Sequence, residues 1–225
     1  MNTAFTTYST KNFQNLRRNL CNQARTSNFD KVFEYTEDWL LNTEFYLENK
    51  NILDQKRGAG FWLWKPYIIK ECLMNLDYGD VVFYLDAGDI FSKDLAYFLR
   101  YYFSQHQNVD CLLTLGAHAQ KLYTKRDCFV VMDCDYPHYH HHTQLEAGIL
   151  CFKKTDRIMG VLDEWIRYGK NEKVMTDLPN EYGENYPGFI EHRWDQSIIS
   201  NLAIKYGLNM NSELRSFVQC NINTP

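Results

Sequence analysis

The stretch Val81-Val82-Phe83-Tyr84-Leu85-Asp86-Ala87-Gly88-Asp89 constrains this chain more than any other. An unbroken apolar run that opens on β-branched residues suits a central strand covered on both faces, and such strands belong to largely parallel sheets with helices on either side. The run ends in Asp-Ala-Gly-Asp, turn chemistry that delivers a carboxylate to the carboxyl edge of the sheet, where open α/β folds bind ligands.

The flanking pattern agrees with an α/β fold. AFTTYS reads as a strand, the next helix carries Phe13, Leu16, Leu20 and Ala24 at three- and four-residue steps, and KVFEYT is a second strand. A polar helical stretch to about Asp54 precedes QKRGAGFWLWKP, a loop with two glycines whose Pro66 opens a helix faced by Ile68, Ile69, Cys72, Leu73 and Leu76. That helix stops at the turn Asp77-Tyr78-Gly79-Asp80. Ser92 is expected to cap a helix faced by Leu95, Phe98, Leu99 and Tyr102. CLLTLG from Cys111, CFVVM from Cys128 and GILCFK from Gly148 are expected strands. Thr155 should cap a helix with Ile158, Leu162 and Trp165 inward and Gly169 at its end. Residues 170–190 read as an irregular loop, long enough to serve function. The last helix starts near Trp194 and should bury Ile198, Ile199, Leu202 and Tyr206. With no repeat or linker, one domain over residues 1–225 is the expected division.

The chain has 225 residues, 45% of them hydrophobic, which is enough to close a core, and its net charge of −4 argues against a nucleic-acid partner. No run approaches the length of a membrane span, and MNTAFTTYST lacks the basic-then-apolar layout of a secretory signal. The mature chain is therefore expected to begin at Met1, without a membrane span or export. Cys21, Cys72, Cys111, Cys128, Cys134, Cys151 and Cys220 show no CxxC spacing and read as reduced residues of a cytoplasmic protein. The 16 Tyr, 14 Phe and 5 Trp fill a core and can also supply flat platforms for bases and sugars.

Two chemistries compete at Asp86: a carboxylate that holds a divalent cation against a diphosphate, or a turn residue bonding nearby backbone N–H groups. Upstream, Lys56, Arg57 and Lys65 surround Gly58 and Gly60, a phosphate cradle or an exposed basic loop. Downstream, EHRWDQS offers His192 as an imidazole ligand and Asp195 as a reacting carboxylate, unless Asp195 only caps the helix. Asp133 and Asp135 spell D-x-D more closely but rank lower, because the apolar run before them is short and Pro137 and the His-rich YPHYHHHTQ suggest a surface loop. His138, His140, His141 and His142 lack the separated spacing of a structural zinc site.

The order W-x-W-K-P, a strand ending in DAG, Q-L-E-A-G-I-L-C-F-K and R-W-D-Q-S resembles glycosyltransferases of the GT-A fold over about residues 3–206. Among them it is most similar to the plant xyloglucan xylosyltransferase and galactomannan galactosyltransferase family and to the small sugar transferases with which large algal viruses decorate a capsid glycan. The resemblance implies a Rossmann-like mixed sheet flanked by helices, and sugar transfer from a nucleotide-diphosphate donor, UDP first, to a glycan hydroxyl. It makes Asp86-Ala87-Gly88 the D-x-D element, with a departure at Gly88, which has no side chain to donate. Asp89 or water would then fill the shell that His192 completes. Mn²⁺ is the expected cation because of that histidine, with Mg²⁺ second. Asp195 and Gln196 match the pair placed near the anomeric carbon. Gln144, Glu146, Ala147 and Gly148 would line the donor sugar, Thr7, Tyr8 and Ser9 the base, and Arg57, Trp64 and Lys65 the diphosphate side, with Tyr8, Phe61, Trp62, Trp64 and Trp194 as flanking aromatics. Asp195 acting as base would invert the anomeric centre, whereas Asp195 or Gln196 supporting an oxocarbenium-like centre would permit retention. The implied setting is the cytoplasm, that of the host if the protein is viral. Two rival readings stand beside this one. A non-catalytic nucleotide or sugar-binding module would explain Gly88, and a metal-dependent phosphohydrolase would use the same aspartates but lacks the threonine of the aspartyl-phosphate motif.

Overall fold

The computed structural model describes residues 1–219, so Cys220 lies outside the described residues. Its strands are β1 (Thr3–Ser9), β2 (Lys31–Thr36), β3 (Val81–Leu85), β4 (Ile90–Phe91), β5 (Cys111–Ala119), β6 (Thr143–Lys153), β7 (Met210–Asn211) and β8 (Val218–Gln219). Six of them form one mixed sheet in the order β2-β1-β3-β6-β5-β7, and β4 pairs with β8 in a small ribbon. β1 runs parallel to β2 and β3, while β6 is antiparallel to β3 and β5.

The apolar run becomes β3, buried along its whole length. Its side chains alternate between two cores: Val82 and Tyr84 enter one, and Val81, Phe83 and Leu85 the other. A strand with a core on each face has no solvent side, which is why its sequence carries no polar alternation. The helices over the first core include Trp64–Met74, Asp156–Gly169 and Trp194–Lys205; those over the second are Gln14–Thr26 and Leu95–Gln105. Thr155 caps its helix by accepting from the N–H of Ile158 at 3.2 Å.

Several expectations are corrected. CFVV lies within the helix Arg126–Val131, with Met132 as its C-cap, and is not a strand. An apolar run that short carries no decisive period, and the acid Asp127 in the first turn favours the helix. The polar stretch before Asp54 divides into Glu37–Leu41, Glu44–Glu48 and Lys50–Leu53. Ser92 does not cap Leu95–Gln105, whose N-cap is Asp94 without a side-chain bond, and Phe98 and Tyr102 are only partly buried while Ala96 and Phe103 are fully inside. Residues 172–175 of the expected loop form a helical turn. The GILCFK strand starts earlier, at Thr143.

β6 is irregular where it passes the end of β3. Its partners on β5 step from Leu113–Leu150 to Leu115–Leu145, so extra β6 residues bulge between them. The faces switch accordingly: Ala147 and Leu150 enter the same core, and Ile149 enters the other.

Candidate functional site

The carboxyl ends of β1 and β3, the bulge of β6 and the first turns of two helices meet at one edge of the sheet. Asp86 leaves β3 there, its backbone N–H donating to the carbonyl of Gly148 at 3.0 Å. The Tyr84 hydroxyl donates to Asp86 Oδ1 at 2.5 Å. A Cβ on Gly148 would stand 2.9 Å from Asp86 Oδ2, so only glycine lets the carboxylate lie against β6.

Lys65 is the centre of the site. It sits in the first turn of Trp64–Met74, 2% exposed, and its ammonium lies 3.0 Å from Asp195 Oδ2 and 3.5 Å from Asp86 Oδ1. It also donates to the carbonyl of Ala147 at 3.1 Å, an acceptor turned toward it by the bulge. Burial opposes the ammonium's charge, but Asp195 and Asp86 outweigh it and hold Lys65 above its ordinary value. Asp195 opens the helix Trp194–Lys205, but the N-cap is Arg193, so the capping alternative does not describe it. Burial raises its carboxyl to about 6, with Lys65 pulling the other way. Lys65 thus keeps its proton, and Asp195 is the group that titrates close to neutrality.

The other expected residues divide. Gln196 accepts from the backbone N–H of Ala147 at 3.2 Å and donates to Gln144 Oε1 at 2.9 Å, so its amide ties the helix to β6. Gln144 in turn donates to the Tyr123 carbonyl, Thr124 and Ser197, which makes it part of the frame. Glu146 lies 3.7 Å from Arg215. Ala87, Gly88 and Asp89 form a half-buried turn. Thr7 is fully buried with no partner for Oγ1 among the described residues, Tyr8 packs at a tilt against Trp64 with ring centroids 4.1 Å apart, and Ser9 accepts from the buried Arg17 at 3.0 Å. Trp64 donates to the Gly58 carbonyl at 3.1 Å, and Trp62 stacks on Trp194 at 5.2 Å. The aromatics expected as platforms therefore largely face one another.

His192 departs most from its expected role. Nε2 lies 2.8 Å from the Val174 carbonyl, which can only accept, so Nε2 carries the proton, while Nδ1 accepts from the backbone N–H of Lys125 at 3.3 Å. Burial lowers its pKa to about 3, and the neutral ring has both nitrogens committed to the protein. Among the described residues no three His, Cys, Asp or Glu side chains gather as a metal site. The surviving set is Asp86 with Asp89 in the same turn. Asp86 Oδ1 is engaged by Tyr84 and Lys65, and among the described residues Oδ2 has no hydrogen-bond partner. One or two carboxylates fit a hard cation that completes its shell with water and substrate phosphate, as Mg²⁺ does, and the argument for Mn²⁺ from a histidine falls away. The lower-ranked Asp135 joins Arg126 at 2.8 Å, His140 at 3.0 Å and the Tyr186 hydroxyl at 2.5 Å, and His142 bonds the Thr143 carbonyl; these residues hold the surface segments together.

Arg57 and Lys65 are placed by a feature that sequence reasoning missed. Gly58, Ala59, Gly60, Phe61 and Trp62 all have positive φ, 56°, 50°, 94°, 53° and 62°, forming one turn of left-handed helix. Trp194, with φ of 38°, meets it from across the site, and the Arg57 guanidinium lies 4.3 Å over the Trp194 ring.

No protein-family model matches the sequence, and no curated protein sequence does. Solved structures resemble it in fold. The WbbM bifunctional glycosyltransferase, in its apo form, is 13% identical with a TM-score of 0.50, covering 89% of this chain and 37% of that one. Mouse xyloside xylosyltransferase 1, also apo, is 10% identical with a TM-score of 0.48 over 94% of this chain and 85% of that one. A glycosyltransferase involved in glycosylation of the major capsid of PBCV-1 is 11% identical with a TM-score of 0.45, covering 85% and 82%. The mixed sheet flanked by helices is the GT-A, Rossmann-like fold, as the motifs imply. No helix among the described residues is long and apolar enough to cross a membrane.

Proposed function

We propose that this protein is a glycosyltransferase that moves a sugar from a nucleotide-diphosphate donor, UDP first, to a hydroxyl of a glycan acceptor. The carrying observation is the buried Lys65 ammonium set between Asp195 and Asp86 at the ligand-binding edge of the sheet. A lysine fixed between two carboxylates brings alternating charge to a site where a diphosphate leaves and positive charge builds on an anomeric carbon.

In the reaction, an acceptor hydroxyl oxygen bonds to the anomeric carbon while the bond from that carbon to the donor phosphate oxygen breaks, and its electron pair leaves on the diphosphate. The acceptor proton passes to Asp195 or to the departing phosphate. Asp195, ionised above about pH 6, places negative charge beside the centre where cationic character grows. Lys65 holds that carboxylate and Asp86 in register, and Arg57 supplies a second cation at the exposed mouth. Gln196 acts by position, locking the helix that carries Asp195 against β6. A divalent cation at Asp86 and Asp89, Mg²⁺ or Mn²⁺, would screen the charge gathering on the diphosphate.

The test is a screen of nucleotide sugars for release of nucleoside diphosphate, with and without glycan acceptors. Transfer should be found with at least one donor and fall by about 100-fold or more in Asp86→Ala. A protein that binds a nucleotide sugar but never turns it over would favour the non-catalytic module, and phosphate-ester hydrolysis faster than any sugar transfer would favour the phosphohydrolase.

A further inference from the structure

Tyr84 is a buried polar residue that the proposed reaction leaves without a part. It stands on β3 with no exposed surface, and its ring enters the first core beside its cross-strand partner Leu150. Packing there needs no hydroxyl, and a phenol taken out of water is costly unless it finds an acceptor. The two-residue period of the strand supplies one. Residues 84 and 86 share a face, and the Tyr84 hydroxyl donates to Asp86 Oδ1 at 2.5 Å. Burial, with the Asp86 carboxylate beside it, holds the phenol well above its ordinary value, so it stays a donor.

That bond makes two chemically equal oxygens unequal. Oδ1 meets the Tyr84 hydroxyl and, at 3.5 Å, the Lys65 ammonium, which itself lies 5.3 Å from the centre of the Tyr84 ring. Lys65 cannot follow a turning carboxylate, because Asp195 at 3.0 Å and the Ala147 carbonyl at 3.1 Å fix it. Oδ2 lies over Gly148, 2.9 Å from where a Cβ would stand, so β6 closes a third side. Asp86 is thus held in one orientation. Its side chain is nevertheless 42% exposed, and the oxygen without a hydrogen-bond partner among the described residues is Oδ2.

The number of oxygens a carboxylate can offer bears on which cation it suits. Ca²⁺ gathers roughly six to eight oxygens in flexible geometry and accepts both oxygens of one carboxylate, whereas Mg²⁺ demands near-ideal octahedral geometry and keeps several waters around one or two carboxylates. For Asp86 to offer both oxygens, Tyr84 would have to give up its acceptor and leave a buried hydroxyl unpaired. We propose that Tyr84 is a positioning residue that restricts Asp86 to one available oxygen, Oδ2, and so makes the site select Mg²⁺ over Ca²⁺. The inference rests on the reading of Asp86 as the cation ligand of a sugar transferase and names the residue that sets the choice of cation there.

The test is Tyr84→Phe in the full chain, which removes one oxygen and keeps the ring. Titration calorimetry with UDP, then GDP, measures the affinity for Mg²⁺ and for Ca²⁺ without any turnover. Wild type should bind Mg²⁺ more tightly than Ca²⁺. In Tyr84→Phe the Mg²⁺ affinity should fall by about tenfold while that for Ca²⁺ stays within about twofold or rises. Parallel losses for the two cations, no change in either, or a wild type that prefers Ca²⁺ or binds neither would each overturn the role. Infrared spectra of wild type labelled with ¹³C-aspartate decide the matter if the variant does not fold. The Asp86 carboxylate bands, identified by their loss in Asp86→Asn, should move apart when Mg²⁺ binds, the signature of contact through one oxygen; bands that draw together would sink the proposal. A cation switch in a protein that transfers no sugar would refute the transferase reading and keep the role of Tyr84, whereas sugar transfer without the switch would do the reverse.

Discussion

Asp195 was visible in the sequence as a carboxylate near a helix start, but its partner was not, because Lys65 comes from the start of a distant helix and only the folded sheet brings the two together at 3.0 Å. The same limit misled the reading of His192. Its position before the helix was legible, yet the backbone groups of Val174 and Lys125 that consume its nitrogens leave no trace in residue types. The titration of Asp195 yields a prediction. Its folded carboxyl, at about 6 against an ordinary 3.8, binds a proton more tightly than the unfolded chain does. Its contribution to stability is therefore whole below 3.8 and declines as pH rises through about 6, so the Tm difference between wild type and Asp195→Asn should shift toward the variant over that window. In the proposed reaction catalysis runs the opposite way, because that reaction uses the ionised form. The kcat/KM profile should carry an acid limb at about 6, and Asp195→Asn should lower kcat by roughly 100-fold or more and abolish that limb. A flat wild-type profile across this range would remove Asp195 from the chemistry.

Elements were legible in proportion to their pattern. β3 could be read because a five-residue apolar run between turn signals has one good solution, and the helix after Thr155 because cap, apolar face and terminal glycine agree. CFVVM could not, since the same apolar letters serve a buried helix face as well as a strand. The left-handed turn was half legible: Gly58 and Gly60 announce unusual backbone, but nothing in Ala59, Phe61 or Trp62 says that they share it. Each of those three residues costs about 1–2 kcal/mol in that conformation, which the structure offsets with internal bonds such as Phe61 N–H to the Arg57 carbonyl at 2.7 Å. Gly60 is the pivot, with φ of 94° and a would-be Cβ 2.5 Å from the backbone of Leu53. Gly60→Ala should destabilise the protein by about 2–4 kcal/mol, read from urea unfolding, because strain and collision add. A loss below about 0.5 kcal/mol would mean that the turn rearranges at little cost, and the placement of Arg57 by strain would fail with it.

For the whole molecule, the net charge of −4 runs against the polyanionic donor of the proposed reaction until charge is resolved by place. The site edge gathers Lys65 and Arg57, but two carboxylates face Lys65 and Glu191 lies 3.6 Å from Arg57, so these two cations are already paired before a diphosphate arrives. Nor do the described residues form a metal site of three or more protein ligands. Cation and donor should therefore bind as mutual ligands, each supplying what the other lacks. In thermal denaturation, Mg²⁺ alone and UDP alone should each move Tm by less than about 2 °C, while both together, at about 100 times the Kd, should add about 2.7 kcal/mol, or about 5–10 °C. Chelation should return the midpoint to its starting value, and the same synergy should vanish in Asp86→Ala. A full shift with Mg²⁺ alone would reveal a preformed metal site, and a full shift with UDP in excess chelator would assign the diphosphate to Lys65 and Arg57 without a metal.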